Sequence, residues 1–188
     1  MKFVNRILKK DPDYAELLGS VEKNRLPLVC TGLSLVHKAA VISALFEHTG
    51  RHIAVVTNDE ASANELRDDL QSLGLKVVNF SFRDYCIGPL SGYSREYEHK
   101  RTDTLSALSD GAFDVLTVSL DAAIQYTVPP ETLNRARLTL KTGDTVNIKE
   151  LTERLVNAGY VRVPLCEGTG QFSVRGGIFD VFPVGSAE

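Results

Sequence analysis

Cysteine is scarce in this chain of 188 residues, and the three present, Cys30, Cys86 and Cys166, are far apart. No Cys-x-x-Cys pair occurs, so the sequence indicates neither a zinc site nor a disulfide framework. A reducing, cytoplasmic setting fits that usage best. An excess of either charge is missing too. Lys and Arg number 21 against 24 Asp and Glu, for a net charge of -3. This removes any global electrostatic case for nucleic-acid binding. No apolar run is long enough to span a bilayer. The start, Met1-Lys2-Phe3-Val4-Asn5-Arg6, has a basic residue but no apolar core and no small-residue cleavage site, so no signal peptide is expected. Internal repeats and low-complexity tracts are also lacking. What remains is an ordinary globular composition, 43% hydrophobic and 24% charged. The length suits one domain plus a small second one.

Punctuation and periodicity divide the chain. Asp11-Pro12-Asp13 predicts a helix start, with Asp as N-cap and Pro in the first turn. Tyr14, Leu17, Leu18 and Val21 then form one helical stripe. Leu26 to Cys30 reads as a short apolar strand, Thr31-Gly32 as its turn, and Leu35 to Phe46 as a helix ending near Gly50. Ile53 to Val56 is a second strand. Thr57-Asn58-Asp59-Glu60 opens a helix that Gly74 stops, and Leu75 to Phe80 is a third strand. Ser81 to Tyr93 is a long loop, Ser94 caps a helix to about Leu108, and Val115 to Val118 is a fourth strand before a short helix capped by Ser119. Strands alternating with such helices predict an α/β domain with a parallel sheet and helices on both faces. Pro129-Pro130 marks the expected boundary, giving domains of 1–128 and 129–188.

The second part changes style. Arg137 to Leu140 reads as a strand, Lys141-Thr142-Gly143-Asp144 as a turn, and Asn147 with Glu150 as the capping box of a helix ending at Gly159. Ile148, Leu151 and Leu155 share one face of it. Tyr160 to Cys166 is expected to pair with Gln171 to Arg175 as a hairpin through Glu167-Gly168-Thr169-Gly170. A last strand, Ile178 to Phe182, follows Gly176-Gly177. The result is a small α+β module that looks cut short.

A phosphate loop would sit between the first strand and its helix. The working pattern is G-x-x-x-x-G-K-[ST], and the chain has Gly32-Leu33-Ser34-Leu35-Val36-His37-Lys38-Ala39. Gly32 and Lys38 match. His37 replaces the glycine whose conformation lets backbone N–H groups converge on phosphate. Ala39 replaces the hydroxyl that ligates Mg²⁺. No D-E-x-x strand end follows, and Asp59-Glu60 are better explained by helix capping. The expectation is a nucleotide loop without function, no cofactor, no metal and no catalytic residue. Gly32 and Lys38 matching by chance on an ordinary βα unit is the competing account.

Two other clusters draw attention. His48 and His52 are separated by Gly50 and lack a nearby cysteine or acid cluster, which disfavours a metal role. Arg95, Lys100 and Arg101 with Tyr93 and Tyr97 form the only basic-aromatic group, which suits single-stranded DNA. Glu96 and Glu98 offset its charge, so ion pairing along the helix is the preferred reading. Ser173 and Asp180 read as lacking a basic partner.

The richest stretch is Gly170 to Pro183. Phe172 and Val174 alternate with Ser173 and Arg175, which predicts a half-buried strand. Arg175 is then a cation displayed on a strand beside two glycines, either an ordinary surface arginine or a bidentate captor of a partner carboxylate. This stretch, Gly-Gln-Phe-Ser-Val-Arg-Gly-Gly-Ile-Phe-Asp-Val-Phe-Pro, resembles the G-x-F-s-V-R-G-x-I-x-D-I-F-P signature of UvrB and of bacterial transcription-repair coupling factors. Ser94-Arg95-Glu96-Tyr97 with Arg101, Leu140-Lys141-Thr142-Gly143-Asp144 and Ala158-Gly159-Tyr160-Val161-Arg162 resemble further coupling-factor elements.

That resemblance implies the N-terminal UvrB-like module of a coupling factor, with a P-loop or RecA-like α/β domain and a truncated α+β module. It implies a non-catalytic interaction module that recruits the damage-recognition protein UvrA to stalled RNA polymerase in nucleotide excision repair. A nucleotide- or DNA-binding UvrB-like module is the alternative. The parent would be an ATP-dependent DNA translocase. Its contacts to polymerase and DNA, and a C-terminal domain that masks the UvrA surface, would lie in other parts of it. Arg175 corresponds to the signature arginine, with Phe172 and Ser173 beside it as partner-binding residues. No membrane partner is implied.

Overall fold

Four helices of the first unit begin where a short polar side chain takes up backbone donors. Asp11 Oδ1 accepts from the N–H groups of Asp13 and Tyr14 at 2.9 and 3.2 Å. Helix α1 (Pro12–Glu22) follows, with Pro12 in its first turn. Ser34 caps α2 (Leu35–Thr49), and Asp59 caps α3 (Glu60–Ser72). The computed structural model describes residues 6–83 and 96–184. These group into two units: residues up to 83 with 110–125, and 96–109 with 126–184. The chain thus passes between units around 125/126, and most of α4 (Glu96–Asp110) groups with the second. The expected division had placed that helix in the first domain.

In the first unit, β1 (Ile53–Thr57), β2 (Val77–Phe80) and β3 (Val115–Ser119) form a parallel sheet in the order β1-β3-β2. Val115 is the register partner of both Ile53 and Val77. The mixed α/β class and the parallel sheet flanked by helices agree with the alternating sequence pattern. Helix α3 lays Leu66 and Leu70 on Val115 and on Ala39 of α2, with Ile53, Val55 and Val77 packed around them. Polar groups between helix and sheet are consumed in a chain. Thr117 Oγ1 donates to Asn79 Oδ1 at 3.1 Å, and Asn79 Nδ2 and Arg67 Nη1 both donate to Asn64 Oδ1. Thr117 is fully buried, so this bond offsets its desolvation.

The second unit is built on β4 (Val161–Arg162), β5 (Gln171–Arg175) and β6 (Ile178–Phe182), in that order. Asn147 caps α7 (Ile148–Asn157), whose Leu151 and Leu155 pack on Phe172. Val174, Phe179 and Val181 complete this core, and the rings of Phe172 and Phe179 stack at 5.7 Å. Helix α6 (Pro130–Ala136) precedes them, and α5 (Leu120–Ala123) follows β3 in the first unit.

Five expectations need correction. Leu26 to Cys30 is not a strand. It makes no backbone ladder among the described residues, and Pro27 has no N–H to give one. Arg137 to Leu140 is likewise irregular, and Pro130 opens a helix rather than closing a segment, because its missing N–H costs nothing at the first helical position. The third strand starts at Val77, not Leu75, since Gly74 and Leu75 donate back to Gln71 and Leu70 to close α3. Finally, β4 pairs with β5 in parallel, so the expected hairpin between them does not form. The intervening loop folds on the Gln171 side chain, whose Oε1 accepts from the N–H groups of Glu167 and Gly168 at 3.0 Å each. Residues 84–95, which hold Cys86, Tyr93, Ser94, Arg95 and most of the expected loop, lie outside the described residues.

Helix α1 is fastened to α2 by Tyr14, whose hydroxyl is 2.7 Å from His48 Nδ1. Burial, helped by the negative charge of Glu47, pushes the Tyr14 phenol up to about 12. A raised folded-state pKa gives stability that is complete below the unfolded value near 10 and is lost as pH rises through the folded one. Tyr14→Phe is expected to cost about 0.5–1.5 kcal/mol at neutral pH. Urea titrations should show wild type losing stability between pH 10 and 12, and the Phe variant losing less there.

Candidate partner-binding hairpin

The second unit's site follows from the turn between β5 and β6. Arg175 and Ile178 are register partners, so Gly176-Gly177 is a two-residue hairpin loop. Gly176 has φ +61, a conformation that side chains with a Cβ resist. This register places Ser173 directly opposite Asp180. Both lie on the sheet face away from Phe172 and Val174, as alternation requires. Asp180 Oδ2 accepts from Arg175 Nη2 at 2.6 Å and from Ser173 Oγ at 3.2 Å. Arg175 and Asp180 remain about half and two-fifths exposed (54% and 39%), whereas Ser173 is fully buried. The Arg175 hydrogen bond, with that of Ser173 and the guanidinium charge, holds the Asp180 carboxyl below the usual carboxylate range. A single guanidinium nitrogen meets Asp180 in this pair, which leaves the other N–H donors of the half-exposed fork unused by it.

The other sequence candidates are dispersed. Phe172 is fully buried in the core with Leu151 and Leu155, so of the three strand residues expected to meet a partner only Arg175 is displayed. Asp180 was missed, and its reading as lacking a basic partner is wrong. The pairing is visible only once the two-glycine turn sets the register.

The phosphate-loop positions are spent on helix and core. Helix α2 already begins at Leu35, so residues 35–38, which should wrap a phosphate, are helical. Ser34 Oγ accepts from the His37 N–H at 3.5 Å and lies 2.9 Å from His37 Nδ1. Lys38 is exposed, and Ala39 is buried against Leu66, Leu70 and Val115. Asp59 Oδ1 accepts from Ser62 N–H at 2.7 Å, which makes it a cap. His48 is held by Tyr14, and His52 stacks on Phe113 at 4.5 Å. In the basic-aromatic group Lys100 and Tyr97 are exposed but Arg101 is buried, which removes it from any phosphate contact. No helix among the described residues is long and apolar enough to cross a membrane.

Residues 138–188 match the UvrB interaction domain, the segment that carries the hairpin and α7. Over 98% of the chain, the sequence is 27% identical to the transcription-repair-coupling factor of Staphylococcus aureus strain USA300. It is 28% identical over 98% to that of strain MRSA252, and 26% identical over 99% to that of Bacillus subtilis strain 168. The chain is a relative of the transcription-repair-coupling factors. It spans 16% of the length of each of these relatives.

Carboxyl titration by NMR tests the hairpin geometry. In wild type, Asp180 should titrate below the ordinary aspartate range; in Arg175→Ala it should move up toward that range. The contribution of the pair is present above the unfolded aspartate pKa and is lost as pH falls through the lower folded value.

Proposed function

We propose that this chain is the UvrB-like part of a transcription-repair coupling factor and that its second unit binds UvrA. By this reading it brings UvrA to a stalled RNA polymerase, while polymerase contact, DNA translocation and the masking C-terminal domain reside elsewhere in the parent protein. One observation carries the reading: within the segment similar to the UvrB interaction domain, Arg175 is exposed yet oriented by Asp180. A carboxylate on UvrA would take the remaining N–H groups of the guanidinium in charge-assisted hydrogen bonds. The hydrophobic backing from Phe172 and α7 keeps the strand rigid beneath that contact.

The same reading makes the chain non-catalytic. Three features support this: α2 begins too early to leave a phosphate-wrapping loop, Ser34 already serves its first turn, and Ala39 belongs to the core.

In a titration of UvrA, Arg175→Ala should weaken binding by about 1–3 kcal/mol; undiminished affinity rejects the docking role. Calorimetry with Mg-ATP should give no saturable heat. Saturable binding with turnover that Lys38→Ala abolishes would reverse the non-catalytic reading.

A further inference from the structure

Gly170 stands at the end of the β5–β6 hairpin opposite its turn. Its N–H donates to the Phe182 carbonyl at 2.9 Å, and its own carbonyl accepts from the Val161 N–H at 2.9 Å. One buried glycine thus ties together the three strands of this sheet. Its φ of +76 is one that residues with a Cβ resist. Space opposes a side chain as well, since a Cβ there would come within 3.1 Å of His99 Cε1 and Nε2.

His99 belongs to α4, outside the residues 138–188 that match the UvrB interaction domain. That helix is nonetheless fastened to the second unit. Arg137 Nη2 donates to the Ser106 carbonyl at 3.3 Å, and Ser109 Oγ donates to Asn134 Oδ1 at 3.2 Å. His99 is half-buried, and Asp103 lies one turn further along the helix. Burial pushes the Asp103 carboxyl up, and the charge of His99 offsets part of that rise.

We propose that His99 is a positioning residue for the partner-binding hairpin: its ring lies on Gly170 and closes the open end of the β5–β6 ladder. The inference rests on the reading of this hairpin as the UvrA contact. Ladders fray from their free ends. The turn at Gly176-Gly177 fixes one end, and the bond from Gly170 to Phe182 holds the other. Phe182 is two residues from Asp180 on the same strand. Loosening that end frees the carboxylate that orients Arg175. Helix α4 is on this account part of the partner-binding unit.

Three measurements test the proposal: amide hydrogen exchange, Asp180 titration by NMR, and titration with UvrA. In His99→Ala, exchange of the Gly170 amide should quicken about tenfold or more. Asp180 should titrate nearer the ordinary aspartate range, and UvrA affinity should fall about threefold or more. His99→Gln keeps a side chain of similar reach and should restore most of each. Gly170→Ala should weaken UvrA binding less in the His99→Ala background than in wild type, because the close approach is gone. Circular dichroism melts verify the folding of each variant. Unchanged Gly170 exchange in His99→Ala overturns the proposal. So does quickened exchange with full UvrA affinity, which makes His99 a stabilising residue only. Arg175→Ala separates the two readings. If it weakens binding and His99→Ala does not, the positioning role fails and the docking role stands; if neither does, both fall.

Discussion

The β5–β6 register governs both the core and the displayed surface of the second unit. Two glycines close the turn, and a side chain's position along either strand then decides which face it meets. Phe172, Val174, Phe179 and Val181 fall on the face that α7 covers. Ser173, Arg175 and Asp180 fall on the other. A slip by one residue would pull Phe172 from between Leu151 and Leu155 and separate Arg175 from Asp180. Burial of a phenylalanine is worth about 1.5–3 kcal/mol relative to exposure, so the core enforces the pairing that orients the guanidinium. A core constraint therefore becomes a surface geometry.

The first unit shows a nucleotide-like spacing put to the opposite use. Its glycine and lysine stand at phosphate-loop spacing, yet the backbone between them has wound into helix. A phosphate cradle needs N–H groups that converge on an anion. Here Ser34 takes one such donor, and Lys38 donates to the Ser34 carbonyl within the helical ladder. N-caps of this kind stabilise a helix by about 1 kcal/mol. Ala39 strengthens the same outcome from below, because a methyl packs on Leu66 and Leu70 where a hydroxyl would require a partner. Each departure from the nucleotide motif is thus also a contribution to α2.

Local chemistry was legible in the sequence, and pairing between distant segments was not. Asp11, Asp59, Ser119 and Asn147 could be read as helix starts because a cap acts on donors two or three residues away. The stripe of α7 likewise follows from spacing alone. Leu26 to Cys30 reads as a buried strand because it is apolar, but strand formation needs a neighbour with free ladder groups, and nothing local records that absence. The same holds for the parallel pairing of β4 with β5, where the side chain of Gln171 organises the connecting loop. Alternation placed Arg175 on the exposed face, and only the family resemblance gave it a partner, while Asp180 needed knowledge of the turn length.

The Arg175–Asp180 pair also bears on what kind of partner suits the hairpin. Its carboxyl is held below the usual range and stays ionised at neutral pH, so the two residues together carry no net charge. Long-range attraction, the property that draws proteins to phosphate backbones, is therefore cancelled at the most prominent cation of the segment. The chain's overall charge of -3 acts in the same direction. What survives cancellation is direction: N–H groups of fixed orientation on a rigid strand, effective only at hydrogen-bond distance. Such a group rewards a shaped protein surface that brings a carboxylate to one position, and gives little to a polyanion that samples many. The electrostatics of the hairpin thus favour protein docking over nucleic-acid capture, independently of sequence similarity.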